Sequence, residues 1–367
     1  MADGRHIADL ARDPAPATEF LSMSGQNLVV LRNNVPARDA DISIEPRKDF
    51  ELIRQLVDGR YASADDLADG LAKTLAGKSK AMQAAFAVHA MRKDARAVFT
   101  TGEDIAFRLL PLLRLSGWKG ELFSVIHASH SPKWQIAARL LGTRRVGGWF
   151  TVSRLQRDVL IGKAGLPVGK VHFICDSVDA AFFDPAKASG AAEGDYAFAC
   201  GLENRDYATL AAAAGQYGGK VRVQASGYFP QADAADAGMP ANLEINRARI
   251  SWTELRARYA AARFVVVPLN AVPYAAGVNG LLEGMSMGKA VIVTDSPGLA
   301  DYTGLDSLLR VPAGDPARLA SAMESLSRDP AACVEMGRAN REWILKHATI
   351  EQYAEAIASH MLGRPAE

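Results

Sequence analysis

One carboxylate sits among four glycines in the stretch YAAGVNGLLEGMSMGKAVIV (274–293), which holds Glu283 with Gly277, Gly280, Gly284 and Gly288. The apolar run ARFVVVPLN (262–270) precedes it and AVIV closes it. The spacing is not that of a P-loop, which needs four residues between its glycine and Gly-Lys and then Ser or Thr. Gly284 and Gly288 enclose three residues, and Ala290 follows Lys289. No GxGxxG fingerprint follows a strand either. What remains is a loop and a helix that starts near Asn279. A helix N-terminus presents unpaired N–H groups and about half a positive charge. Gly277, Val278 and Asn279 would supply such amides, with glycine letting a ligand come close. Glu283 lies one turn further on, on the Asn279 face, where a carboxylate can accept two hydrogen bonds from a vicinal diol such as a ribose. Amides for phosphate and an acid for sugar suit a nucleoside diphosphate. An ordinary helix with a solvated Glu and packing glycines fits the spacing equally well.

Arg205, in CGLENRDYATL (200–210), follows a strand and precedes a helix. Loops at that edge of a parallel sheet bind ligands, and an Arg there can hold a diphosphate bidentately. A surface Arg beside the helix cap Asp206 is the plainer reading. His127 and His130 form HASH (127–130) at the end of a strand. A loop histidine there can contact substrate, whereas zinc would need further ligands, and no cluster of them stands nearby. The triplet DAD (39–41) is a weak metal pattern in a polar loop. The segment PKWQIAARLLGTRR (132–145) carries Lys133, Arg139, Arg144 and Arg145 beside Trp134, Ile136 and Leu140. It reads either as an interfacial helix on anionic lipid or as a core-packing helix with a solvated basic end.

The elements that would position these residues alternate. LVVL (28–31) and ISI (42–44) are short strand candidates, and 50–96 is mostly helical in pattern. Strands follow at 97–101, 121–127, 148–153 and 170–175, separated by helices at 103–115, 133–141 and 154–165, with Pro111 a point where the first can kink. The stretch 176–195 breaks the rhythm as a linker of Ala, Gly and Asp. Strands then recur at 196–201, 220–227, 263–267 and 307–312, with helices at 206–217 and 252–262 and helices to the end. Such alternation means βαβ units and parallel sheets, here in two domains joined near residue 180.

Length and composition are consistent with this. The chain has 367 residues, 49% of them apolar, with 42 Lys and Arg against 41 Asp and Glu. A balance of +1 argues against a general nucleic-acid binder. Cys175, Cys200 and Cys333 form no CxxC pair and read as reduced thiols. No apolar run approaches the ~20 residues of a spanning helix, and the N-terminus lacks a signal-peptide core. The expectation is a cytoplasmic protein, at most peripheral on the inner face of the membrane.

Together these stretches resemble the retaining GT-B glycosyltransferases of "group 1" type, with a glycogen synthase-like C-terminal domain. FTVSRLQRDVLIGKAGLPVGKVHFICDSVDAAFFDP (150–185) is similar to the segment that ends their N-terminal domain, with Ser177 where Gly is usual. LLEGMSMGKAVIVTDSPG (281–298) is similar to their LEAMACGKPVI signature, and WILKHATIEQYAEAIASHM (343–361) to their closing helix. The resemblance implies two Rossmann-like parallel-sheet domains facing a central cleft: an acceptor-side domain at 1–178, a nucleotide-sugar domain at 179–346, and a helix at 347–367 crossing back to the first. It implies transfer of a sugar from a nucleotide-diphosphate sugar to a glycan, lipid or small-molecule acceptor, with retention, no metal and no cofactor. Glu283 matches the second acid of a Glu-x7-Glu motif that binds ribose; Arg205 is close to the basic residue that stabilises the leaving diphosphate; His127 matches a histidine before the acceptor loop. The first motif acid falls on Ala275, and the usual N-terminal glycine-rich loop is missing or displaced to SMSGQ (22–26). Ala275 keeps alive a non-catalytic nucleotide or nucleotide-sugar binding protein on the same fold, and a sugar-nucleotide epimerase is a third reading.

Overall fold

The computed structural model describes residues 25–32, 46, 49–188, 194–226 and 239–364. The strand candidate at 42–44, the DAD triplet and most of SMSGQ lie outside them. The N-terminal half comprises β1 (Gln26–Val30), α1 (Asp49–Leu56), β2 (Gly59–Ala62), α2 (Leu71–Ala76), α3 (Lys80–Met91), β3 (Ala95–Thr100), α4 (Glu103–Leu115), β4 (Glu121–Val125), α5 (Pro132–Leu141), β5 (Val146–Thr151), α6 (Arg154–Gly162) and β6 (Val171–Phe173). The second half adds β7 (Tyr196–Cys200), α7 (Tyr207–Tyr217), β8 (Lys220–Gln224), β9 (Leu243–Asn246), α8 (Trp252–Ala261), β10 (Phe264–Val267), α9 (Val278–Ser286), β11 (Ala290–Thr294), α10 (Ala300–Thr303), β12 (Leu308–Val311), α11 (Pro316–Arg328), α12 (Pro330–His347) and α13 (Ile350–Met361).

The strands form two six-stranded sheets, in the orders β2-β1-β3-β4-β5-β6 and β12-β11-β10-β7-β8-β9. Every ladder is parallel. A parallel sheet is covered on both faces, so its central strands read as unbroken apolar runs. FVVV of β10 and AVIVT of β11 are buried at every residue. Residues 50–96 are mostly helical, as expected, but they also hold a strand: β2 pairs its Tyr61 with Val29 and forms the sheet edge. Its four residues GRYA carry no alternation that would mark a strand; pairing with β1 makes them one. Helix α4 runs through Pro111 without interruption.

Helix α13 buries Ile350, Tyr353, Ala354, Ile357, Ala358 and Met361, an i, i+3, i+4, i+7 stripe. That stripe packs with Val29, Phe99, Phe123, Val125 and Phe150, so the last helix closes one face of the first sheet. Its start is fixed by a capping box between Thr349 and Gln352. The stretch read as a linker is only partly one. Phe182 and Phe183 are buried in the second domain's core, and Val178 bridges to Thr349, with its N–H on Ala348 O at 2.9 Å. The outgoing and returning crossings therefore lie side by side.

Candidate functional site

In the second sheet β7 pairs with β10, and the strand order runs outward in opposite directions from those two strands. This is the switch point of an open parallel sheet, where the loops after adjacent strands part and leave a crevice. The loop after β7 is held by backbone bonds to the loop after β10: Asp206 N to Pro268 O at 3.1 Å and Asn270 N to Asn204 O at 3.0 Å. Asp206 caps α7 by accepting from Thr209 N at 2.9 Å.

Arg205 stands at this crevice and is 8% exposed, so the surface-Arg reading fails. Its Nε donates to Cys200 O at 2.8 Å and its Nη1 to Glu203 O at 2.9 Å. The glycines of the sequence motif explain where the guanidinium goes. A Cβ on Gly201 would lie 2.6 Å from Nη2, one on Gly277 3.1 Å from Nη1, and one on Gly280 3.4 Å from Nη2. The cation is thus laid over the first turn of α9. Gly277 is the N-cap at φ +84°, offers no side chain to that turn, and no acid stands in it. A guanidinium beside the positive end of a helix is an arrangement that an anion relieves.

Glu283 is in the second turn of α9 and 7% exposed, which removes the solvated-Glu reading. The fully buried Tyr259 donates its hydroxyl to Glu283 Oε2 at 3.0 Å, and the same hydroxyl lies 2.7 Å from Cys200 Sγ. Burial pushes the Cys200 thiol up to about 12, with the Glu283 charge adding to the shift. Burial likewise raises Tyr259 well above its usual value, so it stays a donor. Glu283 and the exposed Asn279 line a recess of about 60 Å³ at the crossing, with Asp176, Ser177 and Asp179. Val278 differs from its neighbours: its side chain is core, and only its backbone is available to a ligand.

On the opposite rim, His127 is exposed, with its ring Nε2 3.3 Å from Thr101 O. Its loop is held by Glu103, a buried acid at the start of α4 that the sequence did not single out. Glu103 accepts from His127 N at 3.0 Å and Ala128 N at 3.2 Å. The residue that crosses to the other domain is His130, whose ring stacks on Tyr274 with centroids 4.6 Å apart. Tyr274 also takes a hydrogen bond from Asn204 of the β7 loop. Ala275, next to it, packs against the cores of both domains. Two further contacts join the domains. Asp301 accepts from Arg154 N and from its Nη1, each at 2.7 Å, capping α6 from across the cleft. The Tyr302 hydroxyl donates to Val152 O at 2.6 Å and accepts from Asp176 N at 2.9 Å. Among the described residues, no group of three or more His, Cys, Asp and Glu is placed to hold a metal ion.

Solved structures match the fold along nearly the whole chain. An Anabaena HepE structure in complex with UDP-glucose is 14% identical, with a TM-score of 0.67 over 92% of this chain and 99% of that one. An α,α-trehalose 6-phosphate synthase from Burkholderia multivorans is 11% identical, with a TM-score of 0.64 over 93% and 99%. The chain has the GT-B glycosyltransferase fold. Within that GT-B frame, residues 216–329 match the family model described as "Glycosyl transferases group 1". The match includes α9 and Glu283 and stops short of Arg205 and His127. The S. aureus TarM G117R mutant, solved with fondaparinux, α-GlcNAc-glycerol and UDP, is 14% identical, with a TM-score of 0.57 over 78% of this GT-B chain and 59% of its own. No curated protein matches the sequence. No helix among the described residues is long and apolar enough to cross a membrane.

Proposed function

We propose that the protein is a retaining glycosyltransferase that takes a nucleotide-diphosphate sugar as donor and needs no metal or cofactor. The observation that carries this is the guanidinium of Arg205, buried and laid over the N-terminus of α9. Breaking the anomeric bond puts negative charge on the leaving diphosphate. Arg205 and the amides at Gly277, Val278 and Asn279 stabilise that charge as preorganised donors. Glu283, oriented by Tyr259, accepts from the ribose hydroxyls. His127 contacts the substrate from the opposite rim. Attack comes from the leaving-group side, with a phosphate oxygen accepting the acceptor's proton. The HepE complexes with UDP and UDP-glucose favour a uridine donor. The donor domain is 179–346, with 1–178 as the acceptor side and 347–367 returning to it.

Calorimetry with UDP, GDP and ADP, followed by product analysis with the matching sugars, tests the reading. Arg205→Ala and Glu283→Ala are each expected to lower turnover about 10²-fold, the scale of a lost oxyanion donor. Near-wild-type turnover in both would retire the site. Ala275 favours a second reading, a nucleotide-binding protein without transfer, because the sequence position of the sugar-contacting acid holds Ala. Tight nucleotide binding with no product from any donor selects that second reading.

A further inference from the structure

The chain is almost neutral, yet one stretch of its N-terminal domain is not. Between Ile105 and Arg157 the sequence has nine Lys and Arg and a single acid, Glu121, while the totals are 42 and 41. Glu121 faces Lys170 at 4.0 Å. Among the described residues, Arg114, Lys119, Lys133, Arg139, Arg144 and Arg145 form no ion pair with a carboxylate. Arg114 instead turns onto backbone carbonyls, with its Nε 3.1 Å from Arg144 O. Burial and then the nearby Arg144 charge lower its pKa.

Arg114 thereby ties the end of α4 to the end of α5, and both expose large aliphatic side chains. Leu115 at the end of α4 is 88% exposed, and Ile136 and Leu140 of α5 are 60% and 72% exposed. Lys133, Ile136, Arg139 and Leu140 lie along one side of α5, and only Ala138 of that helix is fully buried. Core packing by Trp134, Ala137, Ala138 and Leu141 accounts for the other side of the helix and leaves this side uncovered. Its aromatic residue is already engaged: Trp134 stacks on Phe107 at 5.5 Å, under the Lys133 ammonium at 4.3 Å.

We propose that α5 and the end of α4 form a docking face for an anionic lipid bilayer, with Leu115, Ile136 and Leu140 entering the interface and Lys133, Arg139 and Arg144 meeting lipid phosphates. Interleaved aliphatics and cations without acids are the composition of an interfacial helix. A surface for single-stranded nucleic acid would instead offer free aromatic faces for stacking. Helix α5 is entered directly from the His127–Ser131 loop, and His130 of that loop touches Tyr274, so a docked α5 puts the cleft rim beside the lipid surface. The proposal does not depend on the reaction.

The test is co-sedimentation of the full chain with phosphatidylcholine vesicles, with and without phosphatidylglycerol, at low and high salt. Binding is expected only to the anionic vesicles and is weakened by salt. Arg139→Gln with Arg144→Gln is expected to weaken it about 30-fold, at roughly fivefold per cation removed. Ile136→Ser with Leu140→Ser, both at exposed positions, is expected to abolish the salt-resistant part. Absence of binding to anionic vesicles at low salt, or binding unchanged in both double variants, overturns the proposal. So does equally tight binding to duplex DNA or polyglutamate that the Ser variant leaves intact, since that marks a polyanion surface rather than a lipid one.

Discussion

Two glycines of α9 separate what the helix start does for stability from what it does for ligand. Gly277 sits at φ +84°, where a side chain costs about 1–2 kcal/mol. Its added Cβ would also stand 2.7 Å from Cδ2 of the buried Leu269, and forcing a methyl into a packed core costs roughly 1–3 kcal/mol. Gly277→Ala should therefore destabilise the protein by about 3 kcal/mol, or ~6–12 °C at the 2–4 °C per kcal/mol of a domain this size. Gly280 is inside the helix, and its Cβ would make ordinary contacts, 3.4 Å to Arg205 Nη2 and 3.6 Å to Cys200 Sγ. Gly280→Ala should then stabilise by up to ~1 kcal/mol through helix propensity. That methyl also occupies the approach to Arg205, so donor affinity should fall at least ~10-fold, about 1.4 kcal/mol. Thermal denaturation and calorimetry with UDP-glucose, run on both variants, read the two effects separately. If Gly280→Ala raises the melting temperature and leaves donor affinity untouched, the ligand does not approach Arg205 across this turn. An unchanged melting temperature for Gly277→Ala would refute the strain argument.

Further outcomes concern the domain contacts and the buried titratable groups. Burial, then the His360 ring beside it, holds the half-buried His172 down at about 4 from the usual 6.5. The unfolded chain therefore takes up the proton first as pH falls, so stability is full above about 6.5 and is lost towards 4. The full shift is worth ~3 kcal/mol, and about 1–2 after discounting for the exposed part of the ring. His172→Phe should flatten the denaturation midpoint against pH across that window, and an unaltered slope would contradict it. Burial pushes Cys175 and Cys200 up to about 12 and raises Cys333. Native protein should accordingly give no fast thiol titration at pH 8, whereas denatured protein should give three equivalents. Tyr302→Phe strands the Val152 carbonyl and the Asp176 N–H, at about 1–3 kcal/mol for each unpaired group. The check is a lowered melting temperature with faster proteolysis near the crossing, and an unchanged melting curve would count against the bond.

The parts legible in the sequence were those in which local pattern and tertiary role agree. FVVV and AVIV read as buried strands because both sheet faces are covered, and Asp206 read as a cap because its partner, Thr209, is three residues away. The start of α9 and the acid one turn in were visible as spacing. What Gly277 and Gly280 are for was not, because the atom that needs their lack of Cβ belongs to Arg205, in another loop. Glu103 stands at the first position of its helix, and only the fold brings the amides of His127 and Ala128 to it. Tyr259, which orients Glu283, lies on a helix whose sequence gives no hint that its hydroxyl is buried against an acid. Strand β2 was hidden because pairing with β1, not its own composition, makes it a strand.

Helix α13 closes the first sheet although it is made after the second domain, so in chain order the second domain is an insertion within the first. On a ribosome adding about 5–20 residues per second, the ~175 residues between β6 and α13 take roughly 10–35 s to emerge. Throughout that interval the face formed by Val29, Phe99, Phe123, Val125 and Phe150 has only the partial cover of Ile53 and Val57, beside α1. The second domain can complete its own core before the first does. The order of assembly is then the reverse of the order of synthesis, and the nascent first sheet is the species that a holdase chaperone would meet.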